Sequence, residues 1–234
     1  MEHEQADLST QEQARFDMQR ETARFNMIEQ QIRTWEVLDP VVLDLLKKVP
    51  REAFVPAQYA GLAFADLEIP IGHGQSMLSP KMEGRILQAL EISKNDTVLE
   101  IGTGSGYLTA LLATLAKRVV SVGDIAELSK TAQQRILQQG ITNVVLEIGD
   151  AANGWDKLAP YDVIVFTGSL PMAPDGVQQS LTIGGRMFVV IGEAPVMQAT
   201  MIRRISATSF KRDVLFETCL PALDNAPQPQ RFEF

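Results

Sequence analysis

A glycine-rich loop between an apolar run and a helical segment is the part of the sequence most suited to chemistry. Gly102-Thr103-Gly104-Ser105-Gly106 follows TVLEI (97–101) and precedes YLTALLATLA (107–116). Glycines let a ligand approach the backbone closely, and amides at the start of a helix point at that ligand. The acid Glu100, just before the loop, could accept the ammonium of a methionine moiety. The spacing differs from the G-x-G-x-x-G of dinucleotide binders, so the loop does not indicate a pyrophosphate ligand. The alternative interpretation is that the loop is a glycine-rich turn that binds no ligand.

Alternating apolar runs and helical segments should place this loop at the edge of a sheet. The apolar runs that follow it are RVVSV (118–122), NVVLEI (143–148), YDVIVF (161–166) and RMFVVIG (186–192). Strands that alternate with helices predict a parallel, doubly wound sheet. Residues 199–205 and 214–220 leave no room for a crossover helix and predict an antiparallel pair. We therefore predict an α/β fold with a mostly parallel seven-stranded sheet, a C-terminal antiparallel strand pair and a helical N-terminal layer.

The chain before residue 71 carries the patterning of helices. A helix should begin at Ser9, because Glu12 follows it at the spacing of a capping box. An apolar stripe at helical intervals should pack this helix either on the protein's own sheet or on a partner: Phe25, Ile28, Ile32 and Trp35. Asp39 and Pro40 should open a second helix, as its N-cap and its first residue.

These features divide the chain into segments around one domain. We predict a disordered tail over 1–8 and the helical N-terminal layer over 9–70. The segment IGHGQSMLSP (71–80) is rich in Gly, Ser and Pro and is predicted as a loop. Residues 71–222 should form one domain together with the preceding helices, and residues 223–234 should form a surface tail.

The composition limits the classes of function. The 234 residues carry a net charge of −8 and only short pairs of basic residues, which argues against nucleic acid as a partner. One cysteine excludes an internal disulfide, and two distant histidines argue against a metal site. The first residues lack the basic and apolar regions of a signal peptide, and no apolar stretch reaches the length of a membrane span. We therefore expect a cytoplasmic protein without a membrane partner.

The sequence resembles the protein-L-isoaspartate O-methyltransferase family. VLEIGTGSGYLTALLA (98–113) is similar to the first motif of that family, and the likeness extends over roughly residues 25–222. Further segments match the family in order and spacing: VPREAFVP (49–56), IGHGQSMLSP (71–80), NVVLEIGDAANGW (143–155), PYDVIVFTGSLP (160–171) and GGRMFVVIG (184–192). The combination is specific, because the segment at 71–80 is peculiar to this family among methyltransferases.

The resemblance implies methyl transfer from S-adenosyl-L-methionine to the carboxylate of L-isoaspartyl residues in damaged proteins. The ester then collapses to a succinimide, which can reopen as normal aspartate, so the reaction is a repair. A carboxylate is already a nucleophile near neutral pH, and the enzyme needs alignment and desolvation more than acid–base catalysis. The expected partners are therefore isoaspartate-containing peptides or proteins, and no oligomeric state is predicted.

The resemblance also implies which residues contact the cofactor. The expected contacts are Glu100, Ile101, Gly102, Thr103, Gly104, Gly106, Asp150 and Ala151. Asp150 should reach the adenine amino group, and the alternative is that it only caps a turn or a helix. Thr167, Gly168 and Ser169 should line the same end of the sheet.

Two positions depart from the family pattern. The position of the family's catalytic serine holds Leu78, which has no hydroxyl, so the candidates for its role are Ser76 and Ser79. The acid that binds the ribose hydroxyls in the family is replaced by Gly123, and Asp124 could take over that contact. Loss of a charged acceptor costs on the order of 1.5–3 kcal/mol, or roughly ten- to a hundredfold in affinity. The alternatives are therefore a different carboxylate acceptor, or a relative that lost the chemistry and acts as a binding scaffold.

Overall fold

The computed structural model describes the backbone of residues 2–228 and the side chains of residues 11–228. Its centre is a seven-stranded sheet with the order β5-β4-β3-β6-β7-β8-β9. The strands of the molecule are β1 (Ile69–Gly72), β2 (Gln75–Met77), β3 (Thr97–Ile101), β4 (Arg118–Gly123), β5 (Val144–Ile148), β6 (Tyr161–Leu170), β7 (Leu181–Glu193), β8 (Val196–Arg204) and β9 (Phe210–Thr218). The α-helices are α1 (Glu2–Asn26), α2 (Pro40–Lys48), α3 (Pro80–Leu90), α4 (Tyr107–Leu115) and α5 (Ala126–Gln138).

The predicted fold class is confirmed. Strands β3 to β7 of the large sheet pair in parallel, and β7-β8 and β8-β9 pair antiparallel. Successive residues of β3 point to opposite faces, so Val98 and Leu99 belong to two separate hydrophobic clusters, one on each face of the sheet. Burial on both faces explains why strands β3, β4 and β6 are nearly continuous apolar runs rather than alternating ones.

The N-terminal helix is longer than predicted. It begins at Glu2 rather than at Ser9, so the predicted tail is helical from its second residue, and Met1 lies outside the described residues. After Asn26 the backbone widens into a π-helical segment, Met27–Ile32, and then tightens into a 3₁₀ turn, Arg33–Trp35. The predicted start at Ser9 was wrong because capping-box spacing alone does not end a helix that can extend further.

The predicted apolar stripe is only half correct. Ile28 and Ile32 are fully buried, but Phe25 is 57% exposed and Trp35 is 50% exposed. The change from α- to π- to 3₁₀-helix rotates successive residues by different angles, so an interval of 3.6 residues no longer keeps one face. The second helix begins as predicted, because the Asp39 side chain accepts a hydrogen bond from the Val41 amide and Pro40 is its first residue.

The segment predicted as a loop over 71–80 is largely a hairpin. Strands β1 and β2 pair antiparallel, and His73 and Gly74 form the turn with φ of 55° and 74°. Two consecutive residues with positive φ suit the right-handed twist of a two-residue hairpin. Strands of four and three residues are too short to show an alternation of apolar and polar residues, so only Gly74 indicated the turn.

The C-terminal segment belongs to the fold as far as residue 228. Ser169, at the end of β6, donates its amide to the Pro221 carbonyl at 2.9 Å and accepts from the Leu223 amide at 3.0 Å. Ala226 is 6% exposed. The prediction that everything after residue 222 is surface tail is therefore wrong for 223–226, and residues 229–234 lie outside the described part of the chain.

No helix described between residues 2 and 228 combines the length and the apolar character needed to cross a bilayer.

We expect Gly106→Ala to destabilise the protein by about 1–3 kcal/mol more than Gly140→Ala does. Both glycines have positive φ, +84° and +72°, so an alanine at either position carries a similar backbone strain. A Cβ at position 106 would also lie 2.8 Å from the Ala132 Cβ, whereas nothing lies within 4 Å of a Cβ at position 140. Denaturant unfolding of the two variants isolates the steric cost, and equal losses would show that α4 and α5 separate easily.

Candidate active site

A cavity lies at the carboxyl ends of the parallel strands, where open α/β sheets hold ligands. The glycine loop, the ends of β4 and β5, strand β2 and the C-terminal segment 221–224 form its wall. Most of the predicted site residues line it: Ser76, Leu78, Glu100, Ile101, Gly102, Thr103, Gly104, Asp124, Asp150 and Ala151. Three predicted residues, Gly106, Ser79 and Ser169, lie outside the cavity wall.

The glycine loop has separate reasons for its glycines. Gly102 has φ of +102°, and a Cβ there would lie 2.0 Å from the Thr167 Oγ1, which donates to the carbonyls of Ile101 or Gly102. Gly104 has φ of +51° and an open approach from the cavity side. The prediction that Gly106 contacts the cofactor is not supported by its place, because its missing side chain makes room for Ala132 of α5.

Glu100 is a fully buried carboxylate at the end of β3. Its Oε2 accepts a hydrogen bond from the Thr109 hydroxyl, and its Oε1 has no partner among the described residues. Burial raises the pKa of Glu100 to about 7, although the nearby Ser121 hydroxyl and the hydrogen bond from Thr109 oppose the rise. A buried carboxylate with one unpaired oxygen on a cavity wall is suited to a cationic ligand group, which would both pair the oxygen and favour the ionised form.

The hairpin separates the two serines that were candidates for the missing hydroxyl. Ser76 is exposed and lines the cavity. Ser79 is 9% exposed and stands at the N-cap of α3, where its carbonyl accepts from the amides of Met82 and Glu83. The one-residue step from Leu78 moves Ser79 out of the cavity and into the start of the helix. Leu78 itself lines the cavity and packs its side chain in the core.

A buried ion pair beneath the hairpin was not predicted. The Arg51 guanidinium is 1% exposed, pairs with the Glu83 carboxylate, and donates to the carbonyls of Ala63 at 3.0 Å and Leu78 at 2.7 Å. Burial raises the pKa of Glu83 to about 7, against the lowering effect of Arg51. Glu83 also lines the cavity. Only one feature of the sequence indicated this ion pair: Glu83 is a charged residue on the apolar face of a helix. Its partner Arg51 is 32 positions away.

Two hydroxyl groups of neighbouring elements lie beside Gly123 at the end of β4. A Cβ added at Gly123 would lie 3.1 Å from both the Ser129 Oγ and the Thr103 Oγ1. Asp124 is exposed on the cavity wall, and its side chain has no hydrogen-bond partner within residues 11–228. The structure therefore leaves Asp124 free to reach a ligand, but only from the solvent side.

The far side of the cavity is formed by the end of β5 and by the C-terminal segment. Asp150 lines the cavity, and its Oδ1 accepts a hydrogen bond from the Ala152 amide at 3.0 Å. Asp150 therefore caps a turn, as the alternative prediction had it, and this bond leaves its Oδ2 for a ligand. The Gln75 side chain donates to the Asp224 carboxylate at 2.9 Å and joins the hairpin to the C-terminal segment. Sequence reasoning missed Leu223 and Asp224 as wall residues because a segment rich in Pro and Gln has no periodicity.

The chain has relatives among known proteins. A sequence profile described as protein-L-isoaspartate(D-aspartate) O-methyltransferase (PCMT) matches residues 22–223. A curated protein-L-isoaspartate O-methyltransferase of Magnetococcus marinus is 42% identical over 181 residues, which are 77% of this chain and 79% of that protein. The protein-L-isoaspartate O-methyltransferase 1 of Rhodopseudomonas palustris strain HaA2 is 39% identical over 186 residues, or 80% and 75% of the two chains.

Solved structures share the fold. A crystal structure from Plasmodium falciparum, described as a protein-L-isoaspartate O-methyltransferase in complex with S-adenosyl-L-homocysteine, has a TM-score of 0.74 and 19% identity. The match covers 85% of this chain and 97% of that one. At this identity the likeness establishes the fold alone, whereas the profile and the curated relatives establish the family. The chain belongs to the protein-L-isoaspartate O-methyltransferase family.

Proposed function

We propose that the protein transfers a methyl group from S-adenosylmethionine to the carboxylate of L-isoaspartyl residues in peptides and proteins. The observation that carries the proposal is the cavity wall. It brings together the Ser76 hydroxyl of the hairpin and the buried Glu100 carboxylate, whose Oε1 has no partner within residues 11–228. Family membership supplies the reaction, and the two sides of the cavity supply a place for each reactant.

The residues of the cavity fit the cofactor. The Glu100 Oε1 would accept the ammonium of the methionine part, and the backbone of Gly102 and Gly104 lets that part approach closely. Asp150, two strands away, would accept from the adenine amino group. When bound, S-adenosylmethionine supplies a methyl group that is activated by the positive charge of its sulfur.

The acceptor side has little acid–base work to do. The isoaspartyl carboxylate is ionised near neutral pH, so the chain must orient it and remove water from around it. The exposed Ser76 hydroxyl on β2 can donate a hydrogen bond to the carboxylate, and the Leu78 side chain offers an apolar wall beside it. Arg51 holds the Leu78 carbonyl and so fixes this part of the wall.

Methylation of matched peptides tests the proposal. The purified protein should transfer tritiated methyl groups to a peptide that contains L-isoaspartate and not to the same peptide with L-aspartate. Binding of S-adenosylhomocysteine without any methyl transfer would instead favour the scaffold role, which the leucine at position 78 makes a specific alternative. Methylation of an unrelated carboxylate with no activity on isoaspartate would redirect the proposal to another acceptor.

Ser76→Ala should lower kcat/KM for the isoaspartyl peptide by up to roughly a hundredfold, because a hydrogen bond that holds a charged acceptor is worth about 1.5–3 kcal/mol. The affinity for S-adenosylhomocysteine should not change, because Ser76 stands on the acceptor side. Ser79→Ala is the matched control and should have no effect on kcat/KM, since its side chain makes no capping hydrogen bond and does not line the cavity. A drop in kcat/KM for Ser79→Ala alone would reverse the assignment of the two serines.

A further inference from the structure

The order of the strands decides which part of the cavity receives the ribose of the cofactor. The sheet runs β5-β4-β3, with Asp150 following β5, Gly123 ending β4 and Glu100 at the end of β3. In S-adenosylmethionine the ribose joins the methionine part to the adenine. If these parts lie at Glu100 and Asp150, as proposed above, the ribose must lie over the end of β4. The inference below rests on that placement.

The end of β4 has no carboxylate of its own, and hydroxyls occupy the space beside it. A side chain at Gly123 would start 3.1 Å from the Ser129 Oγ and 3.2 Å from the Thr103 Cβ. The Thr103 hydroxyl is already engaged with the Ser121 hydroxyl at 2.7 Å. Ser129 belongs to the first turn of α5, is 4% exposed, and lines the cavity.

The Ser129 hydroxyl is a buried polar group beside the end of β4. Its Oγ is buried and has no hydrogen-bond partner within the described part of the chain, although a serine in a helix commonly bonds a carbonyl one turn earlier. A buried hydroxyl without a partner lowers stability, and such groups in native proteins call for an explanation. A ligand hydroxyl above Gly123 would supply the missing partner.

We propose that the Ser129 hydroxyl binds a ribose hydroxyl of S-adenosylmethionine, in place of a carboxylate at position 123. The chain thus recognises the ribose with a neutral group that can both donate and accept. Asp124 is the competing candidate, but its carboxylate is exposed, and pairing it with a ribose hydroxyl would replace water rather than satisfy a buried group. Gly123 then has a positive role, because any side chain there would press on the Ser129 hydroxyl.

Calorimetric titration with S-adenosylhomocysteine tests the proposal on the full chain without any turnover. Ser129→Ala should raise Kd by roughly two- to tenfold, the effect of one neutral hydrogen bond. The melting temperature of the ligand-free variant should not fall, because the substitution removes an unpaired buried hydroxyl. Thr131→Ala is the matched control: it removes an exposed hydroxyl from the same helix and should leave Kd unchanged.

Analogues of S-adenosylhomocysteine that lack the 2′- or the 3′-hydroxyl identify the contact. One of them should bind the parent protein more weakly by the same factor as Ser129→Ala, and that penalty should disappear in the Ser129→Ala variant. Deoxy penalties that persist in Ser129→Ala but vanish in Asp124→Asn would overturn the proposal in favour of Asp124. Equal affinity of the parent and of Ser129→Ala for S-adenosylhomocysteine would overturn the role of Ser129 but not the placement of the cofactor. Failure of the parent to bind at all overturns the cofactor placement as well.

Discussion

Arg51→Met is expected to lower the free energy of unfolding by about 3–5 kcal/mol, the largest effect on stability that we predict. The guanidinium is 1% exposed and its three groups of donors are all used, on Glu83, Ala63 and Leu78. Removing it leaves the buried Glu83 carboxylate without a counter-charge and leaves two carbonyls without a donor. Such a loss far exceeds the value of a surface pair, which is about 0–1 kcal/mol.

Denaturant unfolding of a set of variants measures this effect. Arg20→Met, which removes a half-exposed arginine from a surface pair, is the control and should cost less than about 1 kcal/mol. The double variant Arg51→Met/Glu83→Met should recover much of the loss, because a buried ion pair can often be replaced by apolar side chains of similar volume. The loss in Arg51→Met should be smaller at low pH than at high pH, because burial raises the pKa of Glu83 and its carboxyl can lose its charge by taking up a proton. A loss below 1 kcal/mol would mean that water reaches the pair.

Glu100→Gln is expected to weaken binding of S-adenosylhomocysteine by roughly ten- to a hundredfold, because the ammonium loses its charged acceptor. The parent should bind more tightly as the pH rises through about 7, because burial raises the pKa of Glu100 to about 7 and only the ionised form pairs with the ammonium. The variant should lack that pH dependence. Calorimetry at pH 6 and pH 8 compares the two, and a pH dependence that survives in the variant would assign it to another group.

The same substitution should have the opposite effect on the ligand-free protein. Between pH 4.5, the ordinary pKa of this carboxyl, and about pH 7, the folded form holds the proton on Glu100 more tightly than the unfolded form does. Stability must therefore fall as the pH rises through that window, by up to about 3 kcal/mol. Glu100→Gln should remove this contribution and gain on the parent at pH 8. Glu217→Gln, on the exposed strand β9, is the control and should leave the pH profile unchanged.

Local sequence patterns were sufficient for the large sheet. Strands β3, β4 and β6 are almost entirely buried, so their apolar runs stand out, and the edge strand β5 is only half-buried but still mostly apolar. Length alone separated the antiparallel end from the rest, since the connections there are too short for a helix. The hairpin escaped prediction because its strands are only four and three residues long. The C-terminal segment escaped because Ala222 pairs with Ser169, which is distant in the sequence, and the segment carries no periodic signal.

The sequence by itself determined the fold class, the glycine loop and the acid before it, because these depend on neighbours within a few residues. Only the tertiary structure decided that Ser76 rather than Ser79 faces the cavity, and that Gly106 serves the packing of α5. It also placed Arg51 against Glu83, and the Ser129 hydroxyl beside Gly123, which has no side chain. These contacts join residues of different secondary-structure elements. Their geometry arises only when the elements pack, so it cannot be predicted from residue types and spacing alone.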